Sequence, residues 1–236
     1  MKKRGPVIAI DGPSGAGKST ISRFLAKELN LTYVDTGAMY RAFALASHEA
    51  GIDLEDEFAL KEFSKTIAIT FKDNGDRVFL NNKDYSVEIR SQRAGELASI
   101  VSMKKVVREF LVGEQRKLAQ NGFCVMEGRD IGTVVFPDAD VKIFLDACGE
   151  ERAARRHVQL GQSGKSGHDI REIEKEISER DRRDTSRAES PLKKAVDAVR
   201  PYDYSAAVHL LNGLFRMYVR GLFEFPDDLR IMDNRA

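Results

Sequence analysis

One segment near the start, Gly12-Pro13-Ser14-Gly15-Ala16-Gly17-Lys18-Ser19-Thr20, constrains this chain more than any other. It follows a short apolar run, Val7 to Asp11, and precedes Ile21, Phe24, Leu25 and Leu29 at helical spacing. A strand entering a Gly-rich turn that opens a helix is the context in which G-x-x-x-x-G-K-[ST] carries meaning. The glycines let successive backbone N–H groups turn toward one anion, and the helix N-terminus points its partial positive charge at the same spot. Lys18 reaches outer phosphates as a point charge, and the Ser19 hydroxyl is a hard oxygen donor suited to Mg2+. Gly12 to Thr20 are therefore expected to hold a nucleoside triphosphate, ATP, with Ser19 as metal ligand. The motif is silent on what accepts a phosphoryl group.

The rest of the chain alternates strand and helix signals. Thr32 to Val34 reads as a second strand ending at Asp35, and residues 38 to 50 as a helix. This order predicts an α/β fold: a P-loop-type parallel sheet with helices on both faces. Residues 64–91 break the rhythm. Ile67, Ile69 and Phe71 alternate, Asp73-Asn74-Gly75-Asp76 supplies turn chemistry, Val78 to Leu80 resumes, and Asn81-Asn82 turns again. That pattern reads as a small antiparallel β insert. Helical periodicity returns over residues 92–120. Phe123 to Met126 and Val141 to Leu145 read as strands, residues 149–160 and 169–187 as helices, 161–167 as a polar Gly/Ser loop, and 205–224 as a last amphipathic helix.

Composition narrows the function classes. There are 38 basic and 37 acidic residues, a formal net charge of +1, so no bulk field draws the chain to nucleic acid or membrane. The apolar run at Val7 to Ile10 is far too short for a secretory signal, and no stretch approaches membrane-spanning length. The two cysteines, Cys124 and Cys148, read as buried thiols in a reducing compartment, and the four scattered histidines lack ligand spacing. The expectation is a cytoplasmic protein with no nucleic-acid or membrane partner. Asn82-Lys83-Asp84 is one residue short of a guanine-reading motif, which argues against a GTPase. A switch protein working on RNA would need aromatic and basic residues interleaved, which this chain lacks.

Asp35-Thr36-Gly37-x-x-Tyr40-Arg41 follows the second strand and so opens at the same sheet end as the phosphate loop. Gly37 permits close approach, Thr36 and Tyr40 offer hydroxyls, and Arg41 offers a bidentate fork for a phosphate. Asp35 or Thr36 also suits a helix N-cap. Further on, Arg180, Arg183, Asp184 and Arg187 fall on one helical face, as do Arg152, Arg155 and Arg156.

Four segments in order, Gly12 to Thr20, Asp35 to Arg41, Gly128-Arg129-Asp130 through Asp138, and Glu179-Arg180-Asp181-x-x-Asp184-x-x-Arg187, together resemble the bacterial cytidylate kinases. The resemblance runs from about residue 5 to 195. It implies transfer of phosphate from ATP to CMP and dCMP, with Mg2+, by a monomer; UMP, AMP or another small acceptor is the alternative. It further implies that Arg41 and Arg129 clamp the acceptor phosphate, and that Arg180 and Asp184 hold the ribose. Arg187, Ser99 and Arg108 would read cytosine with Asp130 nearby, while Thr36 and Tyr40 complete the CMP site. Lys18, Arg129, Arg155 and Arg156 would be the catalytic cations, the last two on a lid. One kinase domain, 1–236, is expected. Its core is 1–63, 92–150 and 188–236, with the monophosphate-binding insert at 64–91 and the lid and arginine helix at 151–187.

Two departures from that family stand out. Glu127 occupies the place of an Asp before Gly-Arg-Asp, keeping the carboxylate but reaching one methylene further. Ala198 to Tyr204 matches poorly where a strand and a polar turn are expected, and Phe223 to Ala236 carries no motif.

Overall fold

The computed structural model describes residues 5–162 and 169–198. The expected helix at 205–224, the departure at 199–204, the loop at 163–168 and the core segment beyond 198 lie outside them.

Four strands form a parallel sheet: β1 (Val7–Asp11), β2 (Thr32–Asp35), β6 (Cys124–Gly128) and β7 (Val141–Phe144), in the order β2-β6-β1-β7. β1 is central and buried at every residue, which is why it reads as an unbroken apolar run rather than an alternation. Register brings Asp11 level with Gly128 and Asp35 level with Glu127. Three chain segments therefore leave the sheet at one end, where open α/β sheets take their ligands.

Helices α1 (Lys18–Glu28) and α2 (Thr36–Glu49) follow β1 and β2 directly. Asp35 caps α2, accepting from the Ala38 N–H at 2.9 Å. Helix α3 (Glu57–Ser64) leads into a second sheet of β3 (Ile69–Lys72), β4 (Arg77–Leu80) and β5 (Lys83–Asp84), all antiparallel. The expected turns are there. Asp73, Asn74 and Gly75 have φ of 52°, 53° and 96°, and Asn81 and Asn82 have 47° and 70°, values that Asn, Asp and Gly tolerate best. Ile69, Val78 and Leu80 of this sheet, and Tyr85 just after it, share one apolar cluster with Val7, Ala9, Phe43 and Met126. The insert is thus built onto the main core.

The helical stretch expected at 92–120 is two helices, α4 (Gln92–Val101) and α5 (Lys105–Leu118). The apolar positions lose phase between Val101 and Val107. The break at Ser102 to Lys104 turns Val107 and Leu111 into the core and leaves Arg108 facing a charged partner. A π-type turn at Ile131–Val135 follows β6, and α6 (Gly149–Gln162) and α7 (Ile170–Ser186) pack together through Ala153, Ile173 and Ile177. Gly161, read as loop, continues α6. Cys124 is buried in β6 as expected, but Cys148 is exposed, because it stands in the turn between β7 and α6 rather than in a strand. Among the described residues no helix is long and apolar enough to cross a membrane.

Candidate functional site

The loop between β1 and α1 has the backbone that an anion nest requires. Gly12, Gly15 and Gly17 have φ of 150°, 77° and 92°, and a Cβ on Gly12 would collide with the Leu145 carbonyl oxygen. Gly17 provides no side-chain cap for α1, so the first-turn N–H groups remain available to a ligand. Lys18 is 7% exposed and donates from Nζ to the Pro13 carbonyl at 2.7 Å. Burial, then the neighbouring Arg129 charge, brings its ammonium down to about 7, with Glu127 opposing the shift.

Glu127 is buried at the end of β6. Burial and the nearby Asp35 push its carboxyl above the ordinary carboxylate range, while Lys18 and the hydrogen bond from the Tyr33 hydroxyl resist. No group of three His, Cys, Asp or Glu among the described residues forms a metal cage. The oxygen donors around the loop, the Ser19 hydroxyl and the Glu127 carboxylate, do fit Mg2+, which keeps several waters and shares phosphate oxygens.

Across from the loop, arginines converge. Arg41 donates from Nε to the Gly37 carbonyl at 2.9 Å and from Nη2 to Asp35 at 3.2 Å. Arg129 donates from Nε to Asp184 at 2.9 Å. Burial works against the Asp184 charge, but Arg129, then Arg180 and Arg187, hold its carboxyl below the usual value. Arg180 has no carboxylate within ion-pair distance among the described residues, and burial followed by Arg129 brings it down to about 10. A half-buried guanidinium without an anion of its own is a site for a supplied one.

Deeper in, Arg108 pairs with Asp130, both nearly fully buried, and its guanidinium lies 5.7 Å from the centre of the Tyr40 ring. Arg187 donates from Nε to the Ser190 carbonyl at 2.7 Å and lies 3.8 Å from Asp184. Three polar atoms here are buried without a partner: the Tyr40 hydroxyl, Arg108 Nε and Arg187 Nη2. Burial pushes the Tyr40 phenol up to about 12, so it stays a neutral donor and acceptor. Buried polar atoms are costly to leave unpaired, and a cluster of them in a cleft marks where a polar ligand edge fits.

One cleft of about 190 Å³ unites these groups. Thr36, Tyr40, Arg41, Ser99, Arg108, Arg129, Asp130, Arg180, Asp184 and Arg187 all line it, with Ser14, Gly15, Lys18 and Ser19 of the phosphate loop. Thr36 also donates to the Glu127 carbonyl at 2.7 Å, tying α2 to β6. Gly12, Pro13, Ala16, Gly17 and Thr20 shape the loop without lining the cleft. Arg155 and Arg156 are exposed on α6 and do not line it either. Arg155 is closer to the loop, its Nη1 3.9 Å from where a Gly17 Cβ would stand.

Arg152 is the arginine of that face that reaches inward. It donates to the Ser14 carbonyl at 3.0 Å and to Asp181 at 2.5 Å, joining α6, α7 and the phosphate loop. Asp11 was not singled out by sequence. Its two oxygens accept from the Ile131 and Gly132 N–H groups, each at 2.8 Å, fixing the turn after Arg129 and Asp130. Burial brings its carboxyl up to about 6 against those bonds. A strand-terminal Asp ahead of a Gly-rich loop was the available signal, but its partners are remote in sequence.

A glycine-rich anion nest at the carboxyl end of a parallel sheet, facing an arginine-lined cleft beside an antiparallel insert, defines an α/β P-loop kinase. The cytidylate kinase family model matches residues 8–204. The chain is 47% identical to a cytidylate kinase of Geobacter sp. over 201 residues, covering 84% of this chain and 86% of that one. It is 50% identical to a cytidylate kinase of Pelotomaculum thermopropionicum over 196 residues, covering 82% and 86%. It is also 50% identical over 202 residues to a bifunctional pantoate ligase/cytidylate kinase of Prochlorococcus marinus, 84% of this chain but only 40% of that longer protein. The chain belongs to the cytidylate kinase family.

Proposed function

We propose that this chain transfers the terminal phosphoryl group of ATP to the phosphate of CMP and dCMP, giving ADP and CDP or dCDP. The observation that carries the reading is the single cleft in which the phosphate loop faces ten residues suited to a nucleoside monophosphate.

The loop amides and the α1 N-terminus hold the donor phosphates, and Lys18 exchanges the Pro13 carbonyl for a phosphate oxygen. Ser19 and Glu127 would hold Mg2+, directly or through its waters, and the bound cation would neutralise charge on the donor phosphates. Arg41, Arg129 and Arg180 hold the acceptor phosphate in line. A bond forms from an acceptor phosphate oxygen to the terminal phosphorus as the bond to the bridging oxygen of ADP breaks. The attacking oxygen is already anionic, so no general base is required, and the protein's part is positioning and charge stabilisation. Asp184 accepts from a ribose hydroxyl. Tyr40, Arg108 and Arg187, with Ser99 and Asp130, present both donors and acceptors to the base. Arg155 and Arg156 close over the donor from α6, and closure excludes the water that would hydrolyse ATP. Residues for both nucleotides come from one chain, so the reading is of a monomer, acting on free nucleotides in the cytoplasm.

The test is phosphate transfer from ATP to a panel of CMP, dCMP, UMP, AMP and shikimate. CMP and dCMP should have the highest kcat/KM. Preference for AMP or shikimate, or transfer to none, would remove the assignment.

A further inference from the structure

Tyr33 lies in β2 at 1% exposure, level with Val125 and two residues before the Asp35–Glu127 register pair. Side chains alternate along strands, so Tyr33 and Glu127 share a face as diagonal neighbours. The Tyr33 hydroxyl donates to Glu127 Oε1. Ser19, in the first turn of α1, lines the same cleft as Glu127.

The ring is held from the other side by the insert. The Arg23 guanidinium lies 4.9 Å from the ring centre, and its Nε donates to Asp76 at 3.0 Å. Gly75 approaches the Tyr33 carbonyl oxygen so closely that a Cβ there would overlap it. Gly75 and Asp76 form the tip between β3 and β4. Contacts therefore run without a gap from the insert, through Tyr33, to the carboxylate beside Ser19.

We propose that Tyr33 is a positioning residue whose hydroxyl aims the Glu127 carboxylate at the Ser19 side of the phosphate loop, with the hairpin tip of the insert bracing Tyr33. This rests on the reading in which Ser19 and Glu127 serve the cation of the donor nucleotide. Packing accounts for the ring but not for the hydroxyl: phenylalanine would fill the same space without burying an oxygen that must be bonded. Glutamate has one more rotatable bond than aspartate and loses more freedom when fixed. An anchor on its far oxygen supplies the orientation that the shorter side chain would have by reach alone. Partners that orient a metal-site group typically change metal affinity by about 10–100-fold when removed.

Mn2+ is titrated into the full chain saturated with ATP, with free Mn2+ read by electron paramagnetic resonance. The Mg2+ dependence of turnover is measured in parallel. Tyr33→Phe should weaken Mn2+ binding about 10-fold, raise the half-saturating Mg2+ by a similar factor, and leave the acceptor KM within about 2-fold. In a Glu127→Gln background the same change should add nothing further. Arg23→Gln, which keeps the hydroxyl but removes the brace, should give a smaller loss of the same kind. Wild-type Mn2+ affinity in Tyr33→Phe, or an undiminished penalty in the Glu127→Gln background, overturns the inference. If the wild-type complex itself takes up no Mn2+, the cation reading has failed and this inference falls with it.

Discussion

Replacing Arg129 by alanine separates charge stabilisation from nucleotide capture. Arg129 donates to Asp184 at 2.9 Å and to the Gly128 carbonyl at 3.2 Å, with 18% of its side chain exposed. Under the proposed function, its loss removes the cationic donor that would meet the acceptor phosphate in the cleft. Donors placed where charge develops are worth about 100–1,000-fold in kcat, or roughly 3–4 kcal/mol. The loss also strips Asp184 of a partner. Removing one side of a buried ion pair costs about 3–5 kcal/mol in stability, but Arg187 remains 3.8 Å from the other oxygen. The folding penalty should therefore fall at or below about 3 kcal/mol. Lys18 supplies an internal control. After burial, Arg129 is the main influence disfavouring its charged form, so Arg129→Ala makes Lys18 easier to keep protonated. Calorimetry should show ATP affinity held or improved while steady-state kcat drops about 100-fold or more. ATP affinity and turnover falling by the same factor would refute the reasoning.

The remaining predictions concern the base, the sheet end and the insert. Arg187→Ala should reduce the preference for CMP over UMP and AMP by about 10-fold, since a site built to pair with polar ligand atoms discriminates through them; full retention of preference in the monophosphate panel would remove Arg187 from base reading. Asp11 is raised to about 6 in the fold, so its contribution to stability is largest at low pH and is lost as pH rises through that value. The stability of wild type relative to Asp11→Asn should fall by about 1.4 kcal/mol between about pH 5 and about pH 7.5 in urea melts; a pH-independent difference would contradict it. Gly75→Ala combines a φ of 96° with a clash at the Tyr33 carbonyl and should destabilise by about 2 kcal/mol or more in the same assay. A neutral result would mean that the insert does not rest on β2 as described.

What sequence made visible follows from how near in the chain the cooperating residues lie. Gly12 to Thr20 make their nest within one loop, and Arg180, Asp184 and Arg187 share a face because helical spacing requires it. The β insert was legible because Asn, Asp and Gly mark positive-φ turns. The separation of α4 from α5 carried only a phase slip between Val101 and Val107, with no glycine or proline to announce it. Asp11 with Ile131, Tyr33 with Glu127, and Arg152 with Ser14 and Asp181 were invisible, since strand order and helix packing create each of those contacts. Arg152 illustrates the limit: periodicity grouped it with Arg155 and Arg156, but only tertiary packing turns it under the phosphate loop while the other two remain in solvent.

Arginine–aspartate pairs line the cleft: Arg41 with Asp35, Arg108 with Asp130, and Arg129 and Arg187 with Asp184. Each acid is a placeholder, so the chain does not depend on a guest to keep its cations from driving one another apart. The same arrangement screens visitors. At these pairs a free inorganic phosphate or sulfate would have to pull a guanidinium from its acid while offering that acid nothing in return, an exchange that Arg180 does not impose. Under the proposed function a nucleotide would bring sugar hydroxyls and an amino-bearing ring to the displaced oxygens, so these pairs would favour molecules that are anionic at one end and hydrogen-donating at the other.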